Sequence, residues 1–207
     1  MQIVCLDLEG VLIPEIWIEF SKRSGIPELS KTTRDEPDYD KLMRGRIAIL
    51  AARGLGLPDI QQVIAGMRPL AGAREFLDWL RGEYQVVILS DTYYQFAAPL
   101  MRQLGNPTLF CHELVVEADG RVRDYRLRMP DQKRASVKAF KALNFRTIAA
   151  GDSYNDTSML AEADAGILYC PPANVEAEFP QFPVTRSYAE LRQAILAASP
   201  SLQPEVQ

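Results

Sequence analysis

Ile3-Val4-Cys5-Leu6-Asp7-Leu8-Glu9-Gly10 opens the chain with a short apolar run that ends in two carboxylates and a glycine. An unbroken apolar run of this length is expected of a strand buried on both faces of a parallel sheet. Val86-Val87-Ile88-Leu89 before Ser90-Asp91, and Thr147-Ile148-Ala149-Ala150 before Gly151-Asp152, repeat the design. Between them lie helical stretches: Ala73 to Arg81 carries Phe76, Leu77 and Leu80 at helical spacing, and Lys133 to Leu143 and Asn155 to Ala163 read the same way. Strands alternating with helices imply parallel βαβ units in an α/β, Rossmann-like sheet, whose ligands sit beyond the carboxyl ends of the strands. The polar groups that follow the three runs are therefore predicted to meet at one crevice.

Residues from 14 to 69 break this rhythm, being helix-rich with apolar faces at Ile16, Phe20, Leu42, Ile47 and Leu50. The expected organisation is a core domain of residues 1–13 and 70–200, a small helical cap of residues 14–69 inserted after the first strand, and a disordered tail over 201–207. Glu113 to Arg128 alternates around Asp119-Gly120, a turn signal that predicts a β-hairpin.

With 207 residues, 47% of them hydrophobic and 24% charged, the chain has the composition of a globular α/β domain with a modest insertion. A net charge of -4 argues against general nucleic-acid binding, which needs a basic stripe, and favours a small-molecule substrate. Cys5, Cys111 and Cys170 are far apart and lack CxxC spacing, so buried reduced thiols are expected rather than disulfides or zinc. No basic leader precedes the first strand and no apolar stretch is long enough to span a bilayer, which points to a cytoplasmic protein without a membrane partner. A homodimer is compatible with these features.

Asp7, Glu9 and Asp152 are predicted at the ends of neighbouring strands, a costly cluster unless a proton or cation relieves it. Mg²⁺ suits so sparse an oxygen site, because it takes one or two carboxylates with phosphate oxygens and waters. Each acid alone could equally cap the helix that follows it. Ser90 after an apolar strand and Lys133 at a helix start could both contact an anion, although a lone lysine is more often a solvated surface charge.

Asp7-Leu8-Glu9-Gly10-Val11, Ser90, Lys133 and Gly151-Asp152-Ser153-Tyr154-Asn155-Asp156 resemble, in order, the four motifs of the haloacid dehalogenase (HAD) superfamily. Leu42 to Leu50, with Arg46, resembles the cap segment of its phosphoserine phosphatase branch. Within the branch, the Asp-Leu-Glu-Gly motif, the run Pro14-Glu15-Ile16-Trp17-Ile18 and Leu89-Ser90-Asp91-Thr92 are similar to ThrH-type enzymes, described as phosphoserine phosphatase and phosphoserine:homoserine phosphotransferase. The similarity extends to about residue 198.

The resemblance implies a nucleophile at Asp7, which becomes an aspartyl phosphate, and Mg²⁺ held by Asp7, Asp152 and a group at Glu9. Glu9, one methylene longer than the usual aspartate, is the implied acid and base. Ser90 and Lys133 are implied to hold the phosphoryl group. Asp91 takes a place where phosphoserine phosphatases usually have glycine, with its backbone N–H toward the phosphate. Asn155 and Asp156 are expected to support the metal or to position Lys133. Glu15 and Arg46 are the partners for the ammonium and carboxylate of an amino-acid substrate, Arg44 is expected to face elsewhere, and His112 is read as structural. Two other readings stand beside this one: a phosphatase for a different small phosphomonoester, and a non-catalytic sensor of a phosphorylated metabolite.

Overall fold

The computed structural model describes residues 1–33, 35–36 and 38–199, so the expected tail 201–207 lies outside the described residues. Strand β1 (Gln2–Leu6) is followed by helices α1 (Ile16–Ser24), α2 (Tyr39–Ala52) and α3 (Leu57–Ala65), with a 3-10 turn at Pro27–Ser30. Then come α4 (Ala73–Glu83), β2 (Gln85–Tyr93), α5 (Tyr94–Gln103), β3 (Leu109–Val116), β4 (Val122–Arg126), α6 (Gln132–Ala142) and β5 (Arg146–Gly151). The remainder is a 3-10 turn at Tyr154–Asp156, α7 (Thr157–Glu162), β6 (Ala165–Tyr169), α8 (Ala173–Glu178), β7 (Val184–Thr185) and α9 (Tyr188–Ala198).

The seven strands form one sheet in the order β4-β3-β2-β1-β5-β6-β7. Every pairing is parallel except β3 with β4. After β1 the chain builds β2 and β3 on one side, then crosses to build β5, β6 and β7 on the other. The order thus reverses at β1, which puts a crevice beyond its carboxyl end. Burial explains the unbroken apolar runs, because alternate residues of each strand enter different cores. Val4, Leu6, Ile88, Ile148, Ala150 and Ile167 join one cluster, while Ile3, Cys5, Val87, Leu89, Ala149 and Leu168 join the other. Each fully buried aliphatic side chain contributes about 1.5–3 kcal/mol.

The expected hairpin is present, turning at Gly120, whose φ is +87°. Its first strand starts earlier, at Leu109, and also pairs in parallel with β2. Two strands beyond β5 complete the sheet. The last, β7, has two residues and is too short to carry a period. Cys5 and Cys111 are buried free thiols, but Cys170 is exposed: it follows the end of β6 with φ 46°, where the chain turns away from the sheet.

Among the inserted helices, α2 is capped by Asp38, whose side chain accepts the Lys41 N–H at 3.1 Å. Leu42, Met43, Arg46 and Leu50 are buried on one face of α2. Arg44 lies on the outer face, exposed and paired with Asp40 at 2.8 Å, as its spacing predicts. Several contacts pin the insert to the sheet and its hairpin, among them three hydrogen bonds. Leu57 N–H donates to the Gly120 carbonyl at 2.8 Å, Tyr125 Oη donates to Asp40 at 2.7 Å, and Tyr39 Oη donates to the Asp91 carbonyl at 3.2 Å.

Candidate active site

Asp7 is the first residue past β1, and its N–H still donates to the Ala150 carbonyl of β5 at 2.9 Å, which fixes where its side chain emerges. The carboxylate is 4% exposed. Its Oδ1 accepts from Leu8 N–H at 2.7 Å and from Lys133 Nζ at 2.9 Å. Lys133, in the first turn of α6 and 2% exposed, also donates to Asp156 Oδ1 at 2.7 Å. Asp156 Oδ2 in turn accepts from the N–H groups of Asp152 and Ser153, at 2.9 and 3.1 Å. Asp156 is thus the anchor that shapes the loop after β5 and aims Lys133.

Close approach of this loop depends on glycine at two positions. A Cβ on Gly10, whose φ is +77°, would stand 2.5 Å from Asp152 Oδ2, and one on Gly151 would stand 2.4 Å from Asp156 Cγ. The result is a cluster in which oxygens of Asp7, Asp152 and Asp156 lie within 4.8 Å of one another. Burial, then the neighbouring Asp156, holds the Asp7 carboxyl well above the usual carboxylate range, against the pull of Lys133. Burial followed by Asp156 likewise pushes Asp152 up to about 7. Burial alone would lower Lys133, but Asp156, Asp7 and Asp91 outweigh it and hold the ammonium well above its ordinary range. One ammonium among so many carboxylates leaves an excess of negative charge, and an all-oxygen donor set fits a hard divalent cation.

β2 supplies the facing wall. Its pairing with β3 is regular to Leu89 and resumes at Tyr93, so Ser90, Asp91 and Thr92 form a bulge opposite Cys111. Ser90 is 2% exposed, its hydroxyl 3.3 Å from Thr92 N–H and its carbonyl held by Gln132 Nε2 at 2.6 Å. The Asp91 carboxylate contacts His112, Asn155 and Lys133 at 3.5, 3.1 and 3.6 Å. Burial would raise its pKa, yet Lys133 and the bond from His112 prevail and hold it below the carboxylate range.

Asp7, Glu9, Glu15, Arg46, Ser90 and Asp152 all line one cleft of about 290 Å³, together with Lys133, Asp91 and Asn155. Glu9 is half-buried, and its Oε2 accepts Ile16 N–H, the first amide of α1, at 2.8 Å. Arg46 enters from α2 at 7% exposure, with its guanidinium 4.5 Å over the Trp17 ring. Its Nη2 donates to the Lys31 carbonyl at 2.6 Å, and its buried Nε has no hydrogen-bond partner among the described residues. The buried Thr92 hydroxyl, also on the cleft wall, is likewise unpartnered among the described residues.

Asp156 is foreseen as the second acid of Gly151-Asp152-Ser153-Tyr154-Asn155-Asp156, and Trp17 and Thr92 stand, without an assigned role, within the runs Pro14-Glu15-Ile16-Trp17-Ile18 and Leu89-Ser90-Asp91-Thr92; Gln132 is the part of this site that no sequence signal conveys.

The model of the haloacid dehalogenase-like hydrolases matches residues 1–164. The chain is 61% identical over 199 residues to phosphoserine phosphatase ThrH of Pseudomonas aeruginosa, covering 96% of this chain and 97% of that one. It is 60% identical to a phosphoserine phosphatase of Pseudomonas syringae pv. tomato, covering 96% of this chain and 84% of the relative. Among solved structures, a substrate-bound phosphoserine phosphatase superposes with a TM-score of 0.77 at 20% identity, over 95% of this chain and 97% of the other. A phospho-aspartyl intermediate analogue of phosphoserine phosphatase gives 0.76, also at 20% identity, over 95% and 98%. At that identity the two structures speak for the fold.

Proposed function

The chain belongs to the haloacid dehalogenase-like hydrolases, and from that premise we propose that it is a Mg²⁺-dependent phosphoserine phosphatase that also passes phosphate to homoserine, through an aspartyl phosphate on Asp7. The observation that carries the reading is the buried contact of Lys133 with both Asp7 and Asp156 at the floor of a cleft roofed by Arg46. A sensor has no use for so costly a buried arrangement beside a nucleophile. The naming of the two Pseudomonas relatives supports phosphoserine as the donor.

Residues 14–69 act in this reading as the cap. The unpartnered Nε of Arg46, on a guanidinium seated over Trp17, suits the substrate carboxylate, and half-buried Glu15 suits its ammonium. The phosphoryl group lies between Ser90 and Lys133, which stabilise its developing charge. A carboxylate oxygen of Asp7 attacks phosphorus in line as the bond to the seryl oxygen breaks, and Glu9 gives that oxygen a proton. The serine leaves, and the acceptor hydroxyl then attacks from the same side, losing its proton to Glu9 as the Asp7–phosphorus bond breaks.

In-line geometry places the acceptor where serine was, so Glu15 and Arg46 serve both amino acids. Homoserine is longer than serine by one methylene. Mg²⁺, held by Asp7, Asp152 and the backbone carbonyl at Glu9 with Asp156 behind them, would neutralise phosphoryl oxygens there. The partners in this reading are small molecules; no single helix among the described residues is long and apolar enough to cross a bilayer. We read the location as cytoplasmic; a homodimer is compatible with this reading, and sedimentation checks it.

The test measures phosphate release from phosphoserine with Mg²⁺, with and without homoserine. Phosphohomoserine should appear as free phosphate falls. Unimpaired turnover by Asp7→Asn, or a substrate panel in which phosphoserine ranks among the poorest, sinks the proposal.

A further inference from the structure

A carboxylate at Asp91 is at first sight misplaced. It lines the cleft that must accept a phosphate dianion, and like charges there oppose binding. The structure turns this charge aside. Arg128 N–H donates to His112 Nδ1 at 3.1 Å, so the ring proton belongs on Nε2, which lies 3.5 Å from Asp91 Oδ1. The other oxygen, Oδ2, accepts from Asn155 Nδ2 at 3.1 Å and lies 3.6 Å from Lys133 Nζ. The imidazole has no freedom to leave: His112 is 3% exposed, sits on β3 and packs against the Tyr93 ring at 6.3 Å. The Asp91 backbone is fixed as well, by Tyr39 Oη on its carbonyl.

We propose that His112 and Asp91 are a positioning pair that holds the Lys133 ammonium in place for phosphoryl transfer. This rests on the phosphotransfer reading above. Lys133 has three carboxylate neighbours, Asp7, Asp156 and Asp91. When Asp7 is phosphorylated, its bonded oxygen becomes part of an acyl phosphate and its carboxylate charge is gone. Asp156 and Asp91 are then the two protein carboxylates that still hold Lys133, and His112 decides where Asp91 stands.

Two isosteric replacements separate this role from simple packing. His112→Gln sets an amide NH₂ near the Nε2 position and can still donate to Asp91. His112→Asn sets its carbonyl near Nδ1 and can still accept Arg128 N–H, but does not reach Asp91. The measurement is kcat and KM for Mg²⁺-dependent phosphate release from phosphoserine and from p-nitrophenyl phosphate, with thermal melting as the control for folding.

The Gln variant should keep kcat within about threefold, while the Asn variant loses about tenfold or more with KM little changed. In an Asp91→Asn background, His112→Asn should cost nothing further, because a residue acting through another is not additive with it. The inference is overturned if the Asn variant keeps kcat, if Gln falls as far as Asn, or if the losses multiply in the double variant. Should His112→Asn not fold, Asp91→Asn decides alone: an unchanged kcat overturns the proposal. A wild-type chain inert on both esters refutes the phosphotransfer reading and this inference with it; an active wild type with indifferent variants refutes the inference only.

Discussion

Replacing Gly10 by alanine tests the tightest approach in the site, and Gly25→Ala supplies its control. Both glycines have a left-handed backbone, with φ of +77° and +68°. A Cβ there costs about 1–2 kcal/mol of strain in either case. The surroundings differ. At Gly25, the end of α1, an added Cβ meets nothing within 4 Å, whereas at Gly10 it meets Asp152 Oδ2, Cγ and Oδ1 at 2.5, 2.6 and 2.9 Å. Ordinary contact begins near 3.4 Å, so the Asp152 carboxylate must retreat by about 1 Å, and a misplacement of that size at a reacting centre costs about a hundredfold in rate. Urea denaturation should show a loss of stability for both variants, the larger for Gly10→Ala, where the clash with Asp152 adds to the shared backbone strain. Mg²⁺-dependent kcat/KM on phosphoserine should be kept by Gly25→Ala and fall about a hundredfold in Gly10→Ala, with a higher Mg²⁺ requirement. If Gly10→Ala is as active as Gly25→Ala, the placement of Asp152 against Gly10 does not matter to the chemistry, and the site argument fails at its base.

Arg46→Lys should raise KM for phosphoserine by about tenfold or more, the worth of a charge-assisted bidentate contact, and leave p-nitrophenyl phosphate unaffected; an equal effect on both esters contradicts carboxylate recognition. Glu9→Asp shortens the side chain by a methylene and withdraws it from Ile16 N–H. The ratio of phosphohomoserine to free phosphate should therefore change, and an unaltered ratio removes Glu9 as its determinant. Burial pushes the Cys5 thiol from 9.0 to about 12. The folded state therefore prefers the neutral thiol, so its contribution to stability is intact below pH 9 and is lost as pH rises toward 12, at about 1.4 kcal/mol per pH unit. Cys5→Ala should flatten urea stability between those values relative to wild type, and parallel curves contradict this.

The reach of sequence reasoning follows the range of the forces involved. Apolar runs that end in Asp7, Ser90 and Asp152 foretell strands buried on both faces, because burial of alternate residues in two cores is written in every position of β1, β2 and β5. The hairpin turn at Gly120 and the outward face of Arg44 are equally local, set by backbone sterics and helical spacing. The resemblance to HAD motifs adds Lys133 and the cap arginine, which no period alone would single out.

What lies beyond such rules is pairing between residues far apart in the chain. Lys133 meets Asp7 across 126 positions, and Asp91 meets His112 and Asn155 from three separate elements. The sequence leaves the direction of the Asp91 side chain open, and the fold decides it by engaging the carboxylate with His112, Asn155 and Lys133. Glu9, one methylene longer than an aspartate, spends that reach on the first amide of α1. Short sheet-edge elements such as β7 are also silent in sequence, since two residues cannot show alternation. Local periodicity and turn chemistry thus decide which elements form and where their polar ends emerge; which of those polar groups touch, and how their charges shift one another, is decided only when the chain closes on itself, because Coulomb and hydrogen-bond energies depend on distances in space rather than along the sequence.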